Sequence, residues 1–371
     1  MTHPWIADRM GTFDSSGIRK VFDLAAKLEN PVNLSIGQPD FDVPEPIQEA
    51  AIAAIRGGRN GYALTQGMPT LREKLMAGVK QEFGHSDREL LVTSGTSGAL
   101  VLALMALVNP GDEVVCFDPF FVMYPALINV IGGKCVTVDT YPDFKVDVAK
   151  LEAALTPRTK VILLNSPANP TGALASDDEV KALAELAAKR NIALISDEIY
   201  RQFQYEGQFV SPAKYNPDVL VIDGCSKTYG MTGWRVGWAH GPAAIVREMI
   251  KLQQYTFVCA PQPFQWASAA ALDYDMSSHI ADYRRKRDLL VNGLRNHYQL
   301  TTPGGAFYAF PQAPWGTGSQ FVAKAIENKL LIIPGNIFSH RDTHFRISYA
   351  ASDDTIQRGV EILQRLAQNA P

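Results

Sequence analysis

Val161-Ile162-Leu163-Leu164 runs straight into Asn165-Ser166-Pro167-Ala168-Asn169-Pro170-Thr171-Gly172. A helical stretch opening after Ser176 then leads to Ala193-Leu194-Ile195 and a second polar end, Ser196-Asp197-Glu198. Short apolar, β-branched runs bounded by turn residues read as buried strands. The stretch between them reads as a helix, because Ser176 stands as its cap with Glu179 three residues on, the spacing of a capping box. Strand, helix and strand in succession are the rhythm of an α/β fold. In open α/β sheets ligands bind outside the carboxyl ends of the strands, so the polar residues that end these two strands are candidate site residues.

The same rhythm extends outward from this unit. Strands are expected at Leu90-Leu91-Val92, Glu113 to Phe117, Cys135 to Val138, Val219 to Ile222 and Val236 to Ala239, with helices between most of them. A long helical region from about Pro263 to Tyr298 leaves this domain for a smaller α+β lobe. In that lobe strands are expected at Phe307 to Phe310, Leu331 to Ile333 and Phe345 to Ser348, before a final helix from about Asp353 to Gln368. The expected fold class is α/β, a large domain with a mostly parallel sheet between helices plus a smaller α+β domain. At 371 residues the chain exceeds what one core comfortably fills. The expected division is an N-terminal segment over 1–45 that helps form the small lobe and covers the site, a large cofactor-binding domain over 46–270, and a small domain over 271–371.

Composition removes several function classes. Hydrophobic residues at 46% and charged residues at 20% are ordinary for a compact protein. A net charge of -3 without a basic block gives no footprint for nucleic acid and no polybasic membrane anchor. The four cysteines are widely spaced and form no CxxC pair, which indicates neither zinc nor a disulfide framework and fits a reducing cytoplasm. The start lacks a signal-like apolar region, and the run Ala99 to Val108 is far shorter than the ~20 residues that span a bilayer. Small molecules and other copies of the chain are the expected partners.

Chemistry is concentrated around Lys227, in Gly224-Cys225-Ser226-Lys227-Thr228-Tyr229-Gly230-Met231-Thr232-Gly233-Trp234-Arg235. Its neighbours are small, hydroxylic or apolar, and a desolvated lysine short of anions loses its proton and becomes a nucleophile suited to an aldehyde cofactor. A solvated loop lysine is the bland alternative. Gly95-Thr96-Ser97, at a strand-to-helix turn, offers amide donors and hydroxyls to a phosphate, although a plain N-cap would look the same. There is no GxGxxG at this turn, which disfavours a dinucleotide oxidoreductase.

Taken in order, Asn169-Pro170-Thr171-Gly172, Asp197 with Tyr200, the Lys227 to Arg235 segment and Arg346 in Phe345-Arg346-Ile347-Ser348 resemble the class I aminotransferases, pyridoxal-phosphate enzymes of the aspartate aminotransferase fold. The resemblance runs from Leu34-Ser35-Ile36-Gly37-Gln38-Pro39-Asp40-Phe41 to Arg346. It implies pyridoxal 5'-phosphate as cofactor, with Lys227 as its covalent anchor and as the base that moves the substrate proton. It implies Asp197 at the pyridine nitrogen, with Tyr200 and Asn169 donating to the phenolic oxygen. The phosphate falls to Gly95, Thr96, Ser97, Ser226 and Arg235, and Phe121 stacks on the ring while Phe120 stays in the core. Gly224 stands where many relatives have serine. Tyr62 resembles the tyrosine that reaches the phosphate of the neighbouring subunit, which implies a homodimer with shared sites. Arg346 is the implied clamp on the substrate carboxylate, with Gly37, Asn169 and Ile18 also toward substrate. The proline permits a cis Asn169-Pro170 peptide.

The resemblance implies transfer of the amino group of an L-α-amino acid to a 2-oxo acid, with 2-oxoglutarate as the expected acceptor. Aspartate, alanine and aromatic donors stay open, since Ser97 stands where some relatives place a lysine for a distal carboxylate. A β-eliminating lyase on the same fold and a cofactor-binding regulatory module are the rival readings.

Overall fold

The computed structural model describes residues 3–13 and 28–368 of the chain. Ile18 lies outside the described residues, as does part of the expected 1–45 segment. In chain order the strands are β1 (Val32–Asn33), β2 (Arg88–Ser94), β3 (Glu113–Asp118), β4 (Lys134–Asp139), β5 (Thr159–Asn165) and β6 (Ala193–Asp197). They continue with β7 (Leu220–Gly224), β8 (Val236–Pro242), β9 (Tyr308–Ala309), β10 (Leu330–Leu331), β11 (Ile333–Pro334) and β12 (Phe345–Ser348).

Seven of them form one sheet in the order β2-β8-β7-β6-β5-β3-β4. All pairs are parallel except those of β8, which runs antiparallel to both β2 and β7. The chain leaves β3 for the edge strand β4 and returns to β5 on the other flank of β3. The carboxyl ends of β3 and β5 are thus a topological switch point, where loops diverge and leave a crevice.

Both faces of the sheet are covered, and the sequence carries the reason. Along β5, Val161 and Leu163 pack into one apolar cluster with the helix Gly95–Leu107. Ile162 and Leu164 pack into another with the helix Asp177–Arg190. Consecutive side chains of a strand point to opposite faces, so a strand buried on both must be apolar throughout. Each fully buried aliphatic side chain contributes about 1.5–3 kcal/mol.

A third cluster, around Tyr283, Phe307, Tyr308, Phe321 and Phe345, also takes in Val32 and Leu34. β1 pairs parallel with β10, and β11, β12 and β9 form a three-stranded antiparallel sheet. The N-terminal stretch is thereby joined to elements some three hundred residues later in sequence.

The Ser176 capping box is present: its side chain accepts from the Glu179 amide at 3.3 Å while Glu179 accepts from the Ser176 amide at 2.8 Å. Two expectations are corrected. The helical region expected from Pro263 to Tyr298 is two helices, Gln262–Ala271 and Ser277–Leu294. Asp275 accepts from the Ser277 amide at 2.9 Å and restarts the chain after a turn. The strand expected at Leu331 to Ile333 is β10 and β11, which belong to different sheets.

Candidate active site

The ends of β5, β6, β7 and β12 and the start of the Gly95–Leu107 helix converge on a cavity of about 330 Å³. Gly37, Thr96, Ser97, Phe121, Asn169, Asp197, Tyr200, Ser226, Lys227, Arg235 and Arg346 all line it. Gly95 adjoins it through Arg235, and Tyr62 is not among the lining residues. Lys227, Arg235 and Arg346 bring three cations to the cavity, and Asp197 is the carboxylate among the described lining residues.

Lys227 follows β7 in a single helical turn, Cys225–Thr228. Its Nζ donates to the Gly37 carbonyl at 2.6 Å. Burial, then the positive charges of Arg346 and Arg235, bring its pKa down to about 8 against the pull of Asp197. The lysine therefore titrates close to physiological pH, where it can both give up and take back a proton.

Asp197 closes β6 in complete burial, which pushes its pKa up to about 6. The Tyr124 hydroxyl, donating to Oδ2 at 2.7 Å, and the Ile199 amide, donating to Oδ1 at 3.4 Å, oppose that shift, as does Lys227. Tyr200 shares a hydrogen bond with the Tyr308 hydroxyl at 2.8 Å. Tyr124 and Tyr308 escaped the sequence reading. Tyr124 stands three residues after Phe121, a spacing that signals nothing. Tyr308 read as one more apolar strand residue.

Arg346, buried in β12, donates from Nη1 to Asn169 Oδ1 at 3.0 Å and from Nη2 to the Ser35 carbonyl at 2.8 Å. It lies between the rings of Tyr308 and Phe338, 4.6 and 4.7 Å from their centroids. Its Nε is buried without a partner. A guanidinium fixed on both faces is pre-aimed at a planar anion. Asn169 has its Oδ1 engaged by Arg346, so its amide nitrogen is the donor it has left to offer. The Asn169-Pro170 peptide is cis.

The strand-to-helix turn is shaped for an anion. Gly95 has φ +67°, and a Cβ there would overlap the Arg235 guanidinium. Gly237 lets the turn lie flat on β8, since a Cβ there would sit 2.7 Å from the Thr96 nitrogen. Ser94 makes no side-chain cap, which leaves the first amides of a 13-residue helix to an anion. Phe121 lines the cavity edge-on to Tyr124, at 5.6 Å between centroids. Phe120 is half-buried, donating its amide to the Phe338 carbonyl at 2.7 Å and lying 5.6 Å from the His340 ring.

This donor set suits pyridoxal phosphate. A helix N-terminus with Arg235 matches its phosphate, a buried carboxylate its ring nitrogen, and a depressed-pKa lysine its aldehyde. The fold and this cavity define a pyridoxal-phosphate-dependent enzyme of the aspartate aminotransferase architecture. The chain belongs to the aminotransferase class I and II family, whose sequence pattern it matches over residues 29–363. It is 36% identical over 374 residues to the probable aspartate aminotransferase of Methanocaldococcus jannaschii, covering 97% of this chain and 99% of that one. The aspartate/prephenate aminotransferase of Thermus thermophilus is 36% identical over 367 residues, covering 95% of this chain and 94% of the other. The solved structure of Thermus thermophilus aspartate aminotransferase with maleate matches with a TM-score of 0.94 at 34% identity, over 98% of this chain and 100% of that one. The protein is a pyridoxal-phosphate-dependent aminotransferase.

Proposed function

We propose that the enzyme moves the amino group of an L-α-amino acid to 2-oxoglutarate in two half-reactions at this one cavity. The observation that carries the reading is the convergence of Lys227, Asp197, Tyr200, Asn169, Arg235 and Arg346 on a single space. Arg346 holds the substrate α-carboxylate in a bidentate grip, and its fixed plane orients the Cα–H bond toward Lys227. Lys227, held near pKa 8, takes the proton from the substrate α-carbon and delivers it again, acting as both base and acid. Bound pyridoxal phosphate supplies the electron sink that makes that carbon acidic. Asp197, once paired with a cation, ionises despite its burial and fixes the protonated ring nitrogen. Tyr200 and the Asn169 amide donate to the phenolic oxygen. Arg235, Ser226 and the Gly95–Ser97 turn bind the phosphate, and Phe121 covers the ring.

Tyr62 is 85% exposed and does not line the cavity of its own subunit, which supports its service to a neighbour and a homodimer with shared sites. The four cysteines are free thiols, which supports a cytoplasmic setting.

The test is a single turnover with one amino acid and no acceptor, run across aspartate, alanine and aromatic donors. The expected result is one equivalent of 2-oxo acid per site with no ammonia, and loss of the visible cofactor absorbance. The Lys227→Ala variant should lose both the covalent absorbance and at least about 10²–10⁴-fold in rate. Ammonia released in step with the 2-oxo acid would overturn the transfer reaction in favour of elimination.

A further inference from the structure

Two glutamines, Gln253 and Gln265, are buried outside the cavity lining, and each bonds to backbone remote in sequence. Gln253, near the end of the helix Ala243–Tyr255, donates from Nε2 to the Thr65 carbonyl at 2.6 Å and to the Val92 carbonyl at 2.9 Å. Gln265, in the helix Gln262–Ala271, accepts from the Met68 amide at 2.8 Å and donates to the Ala260 carbonyl at 2.8 Å. The same side chains thus tie residues 61–68 to residues 255–261. Neither residues 61–67 nor residues 256–261 have regular structure to hold them. Within residues 61–68 the Leu64, Gln66 and Met68 carbonyls also accept, from the Gly67, Val92 and Arg72 amides at 2.9, 3.1 and 3.1 Å.

The braced pair carries apolar side chains that a lone subunit leaves in water. Tyr62 and Tyr255 are each 85% exposed, with Leu64, Phe257 and Val258 beside them in sequence. Val258 has φ +64°, a strained conformation for a β-branched residue, and its amide donates to the Gln253 carbonyl at 2.7 Å. Strain at an exposed apolar residue signals a shape maintained for contact. The Gln253 Oε1 is itself buried without a partner, a further cost accepted at this brace.

We propose that Gln253 and Gln265 are positioning residues that weld these two loops into one docking platform for a second copy of this chain, so that docking presents Tyr62 to the partner's phosphate site. The proposal rests on the reading of Tyr62 as a residue shared between subunits. Gln253 also reaches Val92, three residues before Gly95, so one side chain links the donated tyrosine to the phosphate turn of its own subunit.

Differently tagged subunits isolate mixed dimers, and the dissociation constant for pyridoxal phosphate at the Lys227-bearing site is read by absorbance. Gln253→Met homodimers should bind it about 10-fold more weakly. Paired with Lys227→Ala subunits, Gln253→Met subunits should regain native affinity, because the intact loop now comes from the partner. Native subunits paired with the Gln253→Met/Lys227→Ala double variant should show the 10-fold loss. Gln265→Met, measured in the same two pairings, provides the second variant should Gln253→Met fail to fold. A loss that stays with the lysine-bearing subunit in both pairings overturns the proposal, as does unchanged affinity in both glutamine variants when Tyr62→Phe weakens its partner's site. A chain that stays monomeric, or a Tyr62→Phe variant with native affinity, overturns the shared-site reading and the proposal together.

Discussion

Lys227 shows how little a residue's type says and how much its surroundings decide. Its ammonium meets burial, Arg346 and Arg235 on one side of the ledger and only Asp197 on the other, so its pKa falls to about 8 from an ordinary 10.5. A pKa depressed in the folded state means that stability is present above pH 10.5 and is lost as pH falls through about 8. Cofactor-free Lys227→Met, which keeps most of the length of the side chain without its charge, should therefore unfold later than the cofactor-free parent at pH 7, by at most about 3 kcal/mol. The advantage should shrink as pH rises and vanish above about pH 10.5. Denaturant melts across that range check it, and equal stability at pH 7 would show that the ammonium is solvated.

At the scale of elements, the strands of the large sheet were legible because burial on both faces forces long apolar runs, as in β5. Their polar ends were legible as site candidates for the same reason, and Asn169 and Asp197 do meet in one cavity. The helix over 263–298 was misread because apolar spacing persists across the turn that Asp275 makes. Tyr124 and Tyr308 were missed because hydrogen bonds spanning 73 and 108 residues leave no local pattern. The Gly95 turn belongs to both categories: its composition was visible, while its stacking on Gly237 and Arg235 was not. Gly95→Ala adds a Cβ where the Arg235 guanidinium lies and at a φ that alanine resists. Its dissociation constant for pyridoxal phosphate should rise about 10-fold or more, a loss of at least about 1.4 kcal/mol. Native affinity in an absorbance titration would mean that the arginine moves aside freely.

For the whole molecule, the resemblance named the family and the cavity explains its chemistry, but the cavity's charge has a consequence of its own. Three cations face one carboxylate whose burial favours its protonated form. Before cofactor arrives, this space is a general trap for oxyanions, and sulfate or inorganic phosphate will settle against Arg235 and the Gly95–Ser97 amides. Reconstitution should accordingly run more slowly in phosphate buffer than in an amine buffer of equal ionic strength, while the cofactor-free protein melts later in phosphate. Equal rates in the two buffers would show that the turn does not hold the simple anion. The buffer in which this enzyme is purified then becomes a competitor for its own activation.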